Sequence, residues 1–188
     1  MLSTHDIALG DFEKLALPQL NDLYRTASRV VRNGNQAEDL VQETYLQAWK
    51  SFHRFEPVTN CRAWLYKILF HVIHHYWRGE SSVKIVCESE EMLEGMLAYE
   101  PPVPECITDE DVLAALDRVP RPFHEVLLLA DVQEFAYKEI SDILNIPLGT
   151  VMSRLSRGRR HLRGELLSFA RNMGIETAEP SQPCGVSI

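Results

Sequence analysis

Five arginines and no carboxylate fall between Thr150 and Arg163, in a chain whose formal net charge is -8. At the helical advance of about 100° per residue, Thr150, Ser153, Arg154, Arg157, Arg160 and His161 share one arc, with Ser156 beside them. Leu148, Val151, Leu155, Leu162 and Leu166 share another, so one face would pack while the other is made of hydrogen-bond donors. A guanidinium can reach guanine O6 and N7 bidentately or clamp a phosphate, and Ser and Thr can serve either role. The plain alternative is a solvated amphipathic helix. Against it, the one-sided arginines and missing acids coincide with a helix break just upstream.

A second group is His71, His74 and His75, where i and i+4 histidines could share a metal ion. No carboxylate or thiol in the same stretch completes a ligand set, so neither a metal nor any other cofactor is expected. Cys61, Cys87, Cys106 and Cys184 include no CxxC pair and read as isolated thiols. No base, orienting acid and nucleophile can be paired from spacing, so an enzyme using these histidines or Cys61 is the third-ranked reading, and the expectation is a non-catalytic protein.

The elements that must position the arginines follow from periodicity. In Phe135 to Arg163, FAYKEISDILNIPLGTVMSRLSRGRRHLR, the residues Ala136, Ile140, Ile143 and Leu144 recur at helical spacing. Asn145 then suits a left-handed helix end, and Pro147 suits the first turn of a new helix. A break of about three residues between two helices is a helix-turn-helix, whose second helix reads DNA. Upstream, Thr108 with Asp111 predicts a capping box, and Pro122 opens PFHEVLLLADV, whose run Val126 to Ala130 is expected to be buried on most sides. Residues 108–172 therefore form a four-helix unit.

The N-terminal part predicts three helices over residues 10–79: one from about Asp11 to Val31, one from Gln36 to about Phe52, and one from the N-cap Asn60 to Arg78. On the second, Asp39, Gln42, Glu43, Leu46 and Trp49 mix acid, amide and large apolar groups on one arc. Such a face suits a protein docking surface with Trp49 as anchor; equally, Trp49 and Leu46 could pack under neighbouring segments. The third helix sets Trp64 and Tyr76 beside Arg62, Lys67 and Arg78 with no acid between Asn60 and Gly79. Aromatic rings among cations suit unstacked bases, and a buried bundle helix with basic edges fits the same composition.

Charge divides the chain. Residues 1–79 hold nine Lys/Arg and eight Asp/Glu, residues 80–111 one and ten, and residues 112–188 nine and nine. Residues 80–107 read as an acidic flexible linker, with one short helical turn near 90–97; it either mimics nucleic acid against a cationic surface or is a solubilising tether. The tail 173–188 lacks periodicity and is expected to be disordered. No apolar run reaches membrane-span or signal length, so no membrane insertion and a cytoplasmic location are expected. The fold class is all-α: two small helical domains joined by an acidic linker.

The blocks AEDLVQETYLQAW at 37–49, TNCRAWLYKIL at 59–69 and the 135–163 segment resemble regions 2 and 4 of the extracytoplasmic-function (ECF) sigma factors of bacterial RNA polymerase. The last block is closest to the group that answers oxidative or disulfide stress. The resemblance implies a region 2 three-helix bundle over 10–79 and a region 4 unit over 108–172. It implies that Asp39, Gln42, Glu43, Leu46 and Trp49 dock on the clamp of the polymerase core, and that region 4 meets its flap. It implies that Phe55, Asn60, Arg62, Trp64, Lys67 and His71 capture and hold the −10 strand. The −35 element, GGAA-like in the family, would be read by Thr150, Ser153, Arg154, Ser156, Arg157 and Arg160. A zinc-containing anti-sigma factor is the implied regulator. Many relatives carry Asn where His71 and His75 stand and Gly at Val58, so −10 preference is not carried over. A stand-alone helix-turn-helix regulator, binding duplex DNA without polymerase, is the alternative from another class.

Overall fold

Every described residue in regular structure is helical, in a computed structural model that describes residues 4–55, 60–80 and 108–172. The linker and tail expectations, with Val58, Cys87, Cys106 and Cys184, lie outside the described residues. The N-terminal unit comprises α1 (Thr4–Ala16), α2 (Leu20–Val31), α3 (Gly34–Ser51) and α4 (Cys61–Glu80). The C-terminal unit comprises α5 (Asp109–Leu116), α6 (Arg121–Leu127), α7 (Tyr137–Leu144) and α8 (Leu148–Asn172).

The helix expected over residues 11–31 is interrupted. Pro18 has no N–H to donate and sits at the start of a 3-10 turn, Leu17–Gln19, that separates α1 from α2. The break lets α1 turn back, so that Phe12 meets Tyr45, Trp49 and Phe52 edge-on at 5.2 to 6.2 Å between ring centroids. Tyr45 also donates to the Ala16 carbonyl at 2.7 Å, and burial pushes its hydroxyl pKa up to about 12. Asn33 caps α3 by accepting from the Asn35 and Gln36 amides, so that the helix begins at Gly34.

Helix α4 is the centre of this unit. Leu65, Tyr66, Leu69, Phe70, Val72 and Ile73 are all buried, so its apolar excess is core on most sides. Lys67, His71, His75 and Arg78 stay exposed. Asn60 starts the helix as expected, its Oδ1 accepting from the Arg62 and Ala63 amides.

In the second unit Thr108 and Asp111 form a reciprocal capping box on α5. Val126, Leu127, Leu128 and Leu129 are buried, and the chain leaves α6 through a π turn, Leu128–Val132, in which the Gln133 N–H reaches back to the Leu128 carbonyl. His124 in α6 is buried, its Nε2 3.6 Å from Asp117 Oδ1. Burial holds its pKa below the usual imidazole value, against the opposing pull of Asp117. The unfolded chain takes up this proton near pH 6.5 while the folded chain resists it, so stability falls as pH drops below about 6.5. Urea midpoints measured above and below that pH should separate less in His124→Phe than in the native chain. Equal separation would contradict the assignment.

Candidate nucleic-acid interface

The helix-turn-helix forms where the pattern placed it. Asn145 ends α7 in the left-handed conformation (φ 52°), three residues separate the helices, and the Val151 N–H bonds the Pro147 carbonyl as α8 begins. Val151, Leu155 and Leu166 of α8 are buried and Leu162 is half-buried. Leu148, expected on the packing face, is 43% exposed because it stands at the first turn, beyond the edge of the unit.

On the opposite face Ser153, Ser156 and Arg160 are exposed, while Thr150, Arg154 and Arg157 are half-buried. These six expected −35 residues share one surface. Arg159 lies off that surface. Its guanidinium pairs with both Asp131 carboxylate oxygens, at 2.7 and 3.3 Å, which raises its pKa and ties α8 to the π turn. The pair is half-exposed, so it orients more than it stabilises. Gly158 is the close approach between α8 and α6: a Cβ there would lie 3.0 Å from Leu127 and 3.2 Å from Phe123.

The expected docking face is divided. Asp39, Gln42, Glu43 and Leu46 are exposed on α3, Leu46 at 46%. Trp49 is half-buried with its ring 5.3 Å from Phe12, so α1 takes much of the anchor's apolar surface. The neighbouring-packing alternative therefore describes Trp49, and Leu46 is the apolar group left at the surface.

The expected −10 residues are also brought into two sets. Trp64 packs on Phe55 at 4.9 Å, and Trp64, Lys67, His71, His74 and Arg78 line an open cleft of about 790 Å³ whose other wall is Ile143 and Leu144 of α7 and the following Asn145. Asn60 and Arg62 are instead taken up by the second unit. Asn60 Nδ2 donates to Glu139 Oε1 at 2.8 Å. Arg62 donates to the Gln133 carbonyl at 2.8 Å and to its Oε1 at 2.5 Å, with its guanidinium 4.3 Å from the centre of the Phe135 ring.

Sequence reasoning missed Gln133 and Glu139 as partners of this face, and no local pattern marks them. It also missed where His74 goes: its Nε2 lies 3.2 Å from both Glu125 oxygens. No group of three or more His, Cys, Asp or Glu side chains among the described residues could hold a metal ion. Cys61 is half-buried, donates to the Leu15 carbonyl at 3.6 Å, and has its pKa raised by burial, which disfavours the reactive thiolate.

Two helical units, the second carrying a helix-turn-helix with a one-sided cationic face, suit a DNA-binding protein. Family models give the class as sigma-70: sigma-70 region 2 matches residues 18–83 and sigma-70 region 4 matches residues 109–162. The chain is 32% identical to the ECF RNA polymerase sigma factor SigE of Mycolicibacterium smegmatis, over 85% of this chain and 63% of that one. It is 32% identical to the ECF RNA polymerase sigma factor EcfG of Rhodopseudomonas palustris, over 69% of this chain and 71% of that one. Among solved structures, the sigma factor RpoE of Bartonella quintana, in complex with the anti-sigma factor NepR, matches with a TM-score of 0.65 at 30% identity, covering 84% of this chain and 97% of that one. The chain belongs to the ECF RNA polymerase sigma factors.

Proposed function

We propose that this chain is an alternative, non-catalytic initiation factor: it binds core RNA polymerase, directs it to −35 and −10 elements, and helps melt the promoter by trapping unstacked bases. The observation that carries this reading is the pairing, in one chain, of a helix-turn-helix with one-sided cations and an aromatic, cationic helix with no acid between Asn60 and Gly79. The first suits duplex readout in the major groove and the second suits a displaced single strand. Phosphodiester chemistry belongs to the polymerase, and the site of action is the cytoplasm. The working boundaries are 10–79 for region 2, 80–107 for the acidic connection, 108–172 for region 4 and 173–188 for the tail. A stand-alone regulator is not favoured, because both sigma regions match in order.

The −35 contacts fall to Thr150, Ser153, Arg154, Ser156, Arg157 and Arg160, and the −10 contacts to Phe55, Asn60, Arg62, Trp64, Lys67 and His71. Asp39, Gln42, Glu43 and Leu46 form the core-docking face, with Trp49 supporting it from beneath. An anti-sigma partner is inferred from the RpoE relative, which is seen bound to one. A stress role and a zinc-containing anti-sigma rest on the likeness of the 135–163 block; a co-purified regulator free of zinc would remove the latter. For docking, Asp39→Ala with Glu43→Ala should reduce capture by immobilised core polymerase while the melting temperature stays unchanged, because both side chains are exposed. Undiminished capture would remove these residues from the docking face.

A further inference from the structure

We propose that Met152, with Leu148 beside it, reads the methyl group of a thymine in the −35 element. The proposal rests on reading α8 as the −35 helix, and it adds to the arginines and serines of that helix a contact of a different kind. Met152 is 51% exposed and Leu148 43% exposed, next to the surface that Ser153, Ser156 and Arg160 share. At four-residue spacing Leu148, Met152 and Ser156 form one row along α8, beside the row of Gly149, Ser153 and Arg157. Met152 therefore flanks Ser153 on one side as Arg154 does on the other, each about 100° round the helix axis.

The core does not call for an apolar group here. Val151 and Leu155 are buried and fix this turn of α8, while Met152 between them projects outward. A lone exposed apolar side chain is ordinary on a protein surface. This one stands in the second turn of a recognition helix, where side chains meet base edges in the major groove. The groove offers one apolar group there, the C5-methyl of thymine, and apolar side chains are its usual partners. Methionine suits the task, because its unbranched chain and polarizable sulfur follow an irregular contour. A carboxylate beside it would repel the strand that carries the methyl, and none occurs between Thr150 and Arg163.

The middle of the face is cut low enough for a groove to come close. Gly149 is exposed, and a Cβ there would meet nothing within 4 Å, so the packing of the unit itself does not require a glycine. Together with Ser153 and Ser156 it keeps the centre of the surface free of long side chains. Met152 can then lie along base edges on one flank while Arg154 and Arg157 reach bases or phosphates from the other. The consequence is a division of labour along α8: hydrogen bonds select some base pairs of the −35 element, and at one position thymine is preferred to cytosine for its methyl group.

The test uses holoenzyme, formed from purified core polymerase and the full chain, on a promoter selected from a −35 library. Each thymine of the −35 element, on either strand, is replaced singly by deoxyuridine, which removes the methyl group and leaves the base-pairing hydrogen bonds intact. The native holoenzyme should lose about fourfold in promoter affinity at one position, the value of burying one methyl-sized group. Met152→Ala should bind the thymine and uracil promoters equally at that position, and Met152→Leu should keep most of the distinction. Each ratio compares two DNAs with the same protein, so a general loss of folding or activity cancels. Uracil substitutions without effect on the native holoenzyme overturn the proposal, and so does a thymine-to-uracil ratio that Met152→Ala leaves unchanged. Weaker activity of Met152→Ala with no thymine effect in the native protein overturns it too, by placing Met152 against polymerase. The underlying reading fails separately: if scrambling the −35 element leaves transcription unaltered, α8 does not read it, whatever the uracil series gives.

Discussion

Arg154→Ala is expected to lower promoter-directed transcription about five- to 150-fold, the loss of roughly 1–3 kcal/mol that accompanies removal of a bidentate base contact. The expectation comes from how α8 is held. Val151 and Leu155 are buried on either side of Arg154 in sequence, so the backbone between them is fixed and the guanidinium projects from the opposite face. A lost base contact has a signature beyond weakened activity. In run-off assays with single-substituted −35 sequences, the variant should tolerate change at one base pair while its dependence on the others persists. A uniform loss over all sequences would mark a phosphate contact instead. Arg159→Ala provides the contrast: its partner is Asp131, so selectivity should survive its removal.

Gly158→Val is expected to disable DNA reading while leaving every arginine in place. Glycine inside a helix costs about 1 kcal/mol relative to alanine, so its presence in the middle of α8 needs a reason. The reason is the approach of α6: Leu127 Cγ and Cδ1 stand 3.0 Å, and Phe123 Cβ 3.2 Å, from where a Cβ would sit. A branched side chain there must push α8 away from α6 or displace Leu127, which is fully packed. Overpacking of this kind costs about 1–3 kcal/mol. Gly158→Ala adds one carbon and gains about 1 kcal/mol of helix propensity, so its net effect should be small. Denaturant midpoints of the two variants, with −35 binding by holoenzyme, check the pair. A Gly158→Val protein as stable and as active as the native chain would show that this approach does not set the position of α8.

What the sequence made legible was local. The caps at Thr108, Asn60 and Asn145 each act within three or four residues of themselves, and the break between α7 and α8 is written in consecutive side chains. The one-sided arginines follow from the helical period alone. Pro18 showed a local limit: the apolar repeat around it continues through a change of helix direction, so periodicity joined what the missing N–H divides. Trp49 showed another, since its position on the α3 arc is fixed by period but its burial depends on α1 folding back.

The contact between the two units was beyond reach for a further reason. Arg62 and Gln133 are 71 residues apart and Asn60 and Glu139 are 79 apart, with the acidic stretch between them. Nothing in either neighbourhood names the other. The run Val126 to Ala130 announced burial, but not that the helix would leave it through a π turn aimed at α4. Asn60 and Arg62 were assigned to the −10 strand by the resemblance to sigma region 2, and side chains that could hold a strand also accept a carboxylate and an amide from within the chain.

The central claim is that this chain turns core polymerase into a promoter-selective enzyme, and run-off transcription with purified core and a library of −35/−10 sequences tests it most directly. The sigma reading predicts transcripts from a defined subset of the library, dependent on added protein and lost when either element is scrambled. Initiation no greater or more selective than that of core polymerase alone would contradict it.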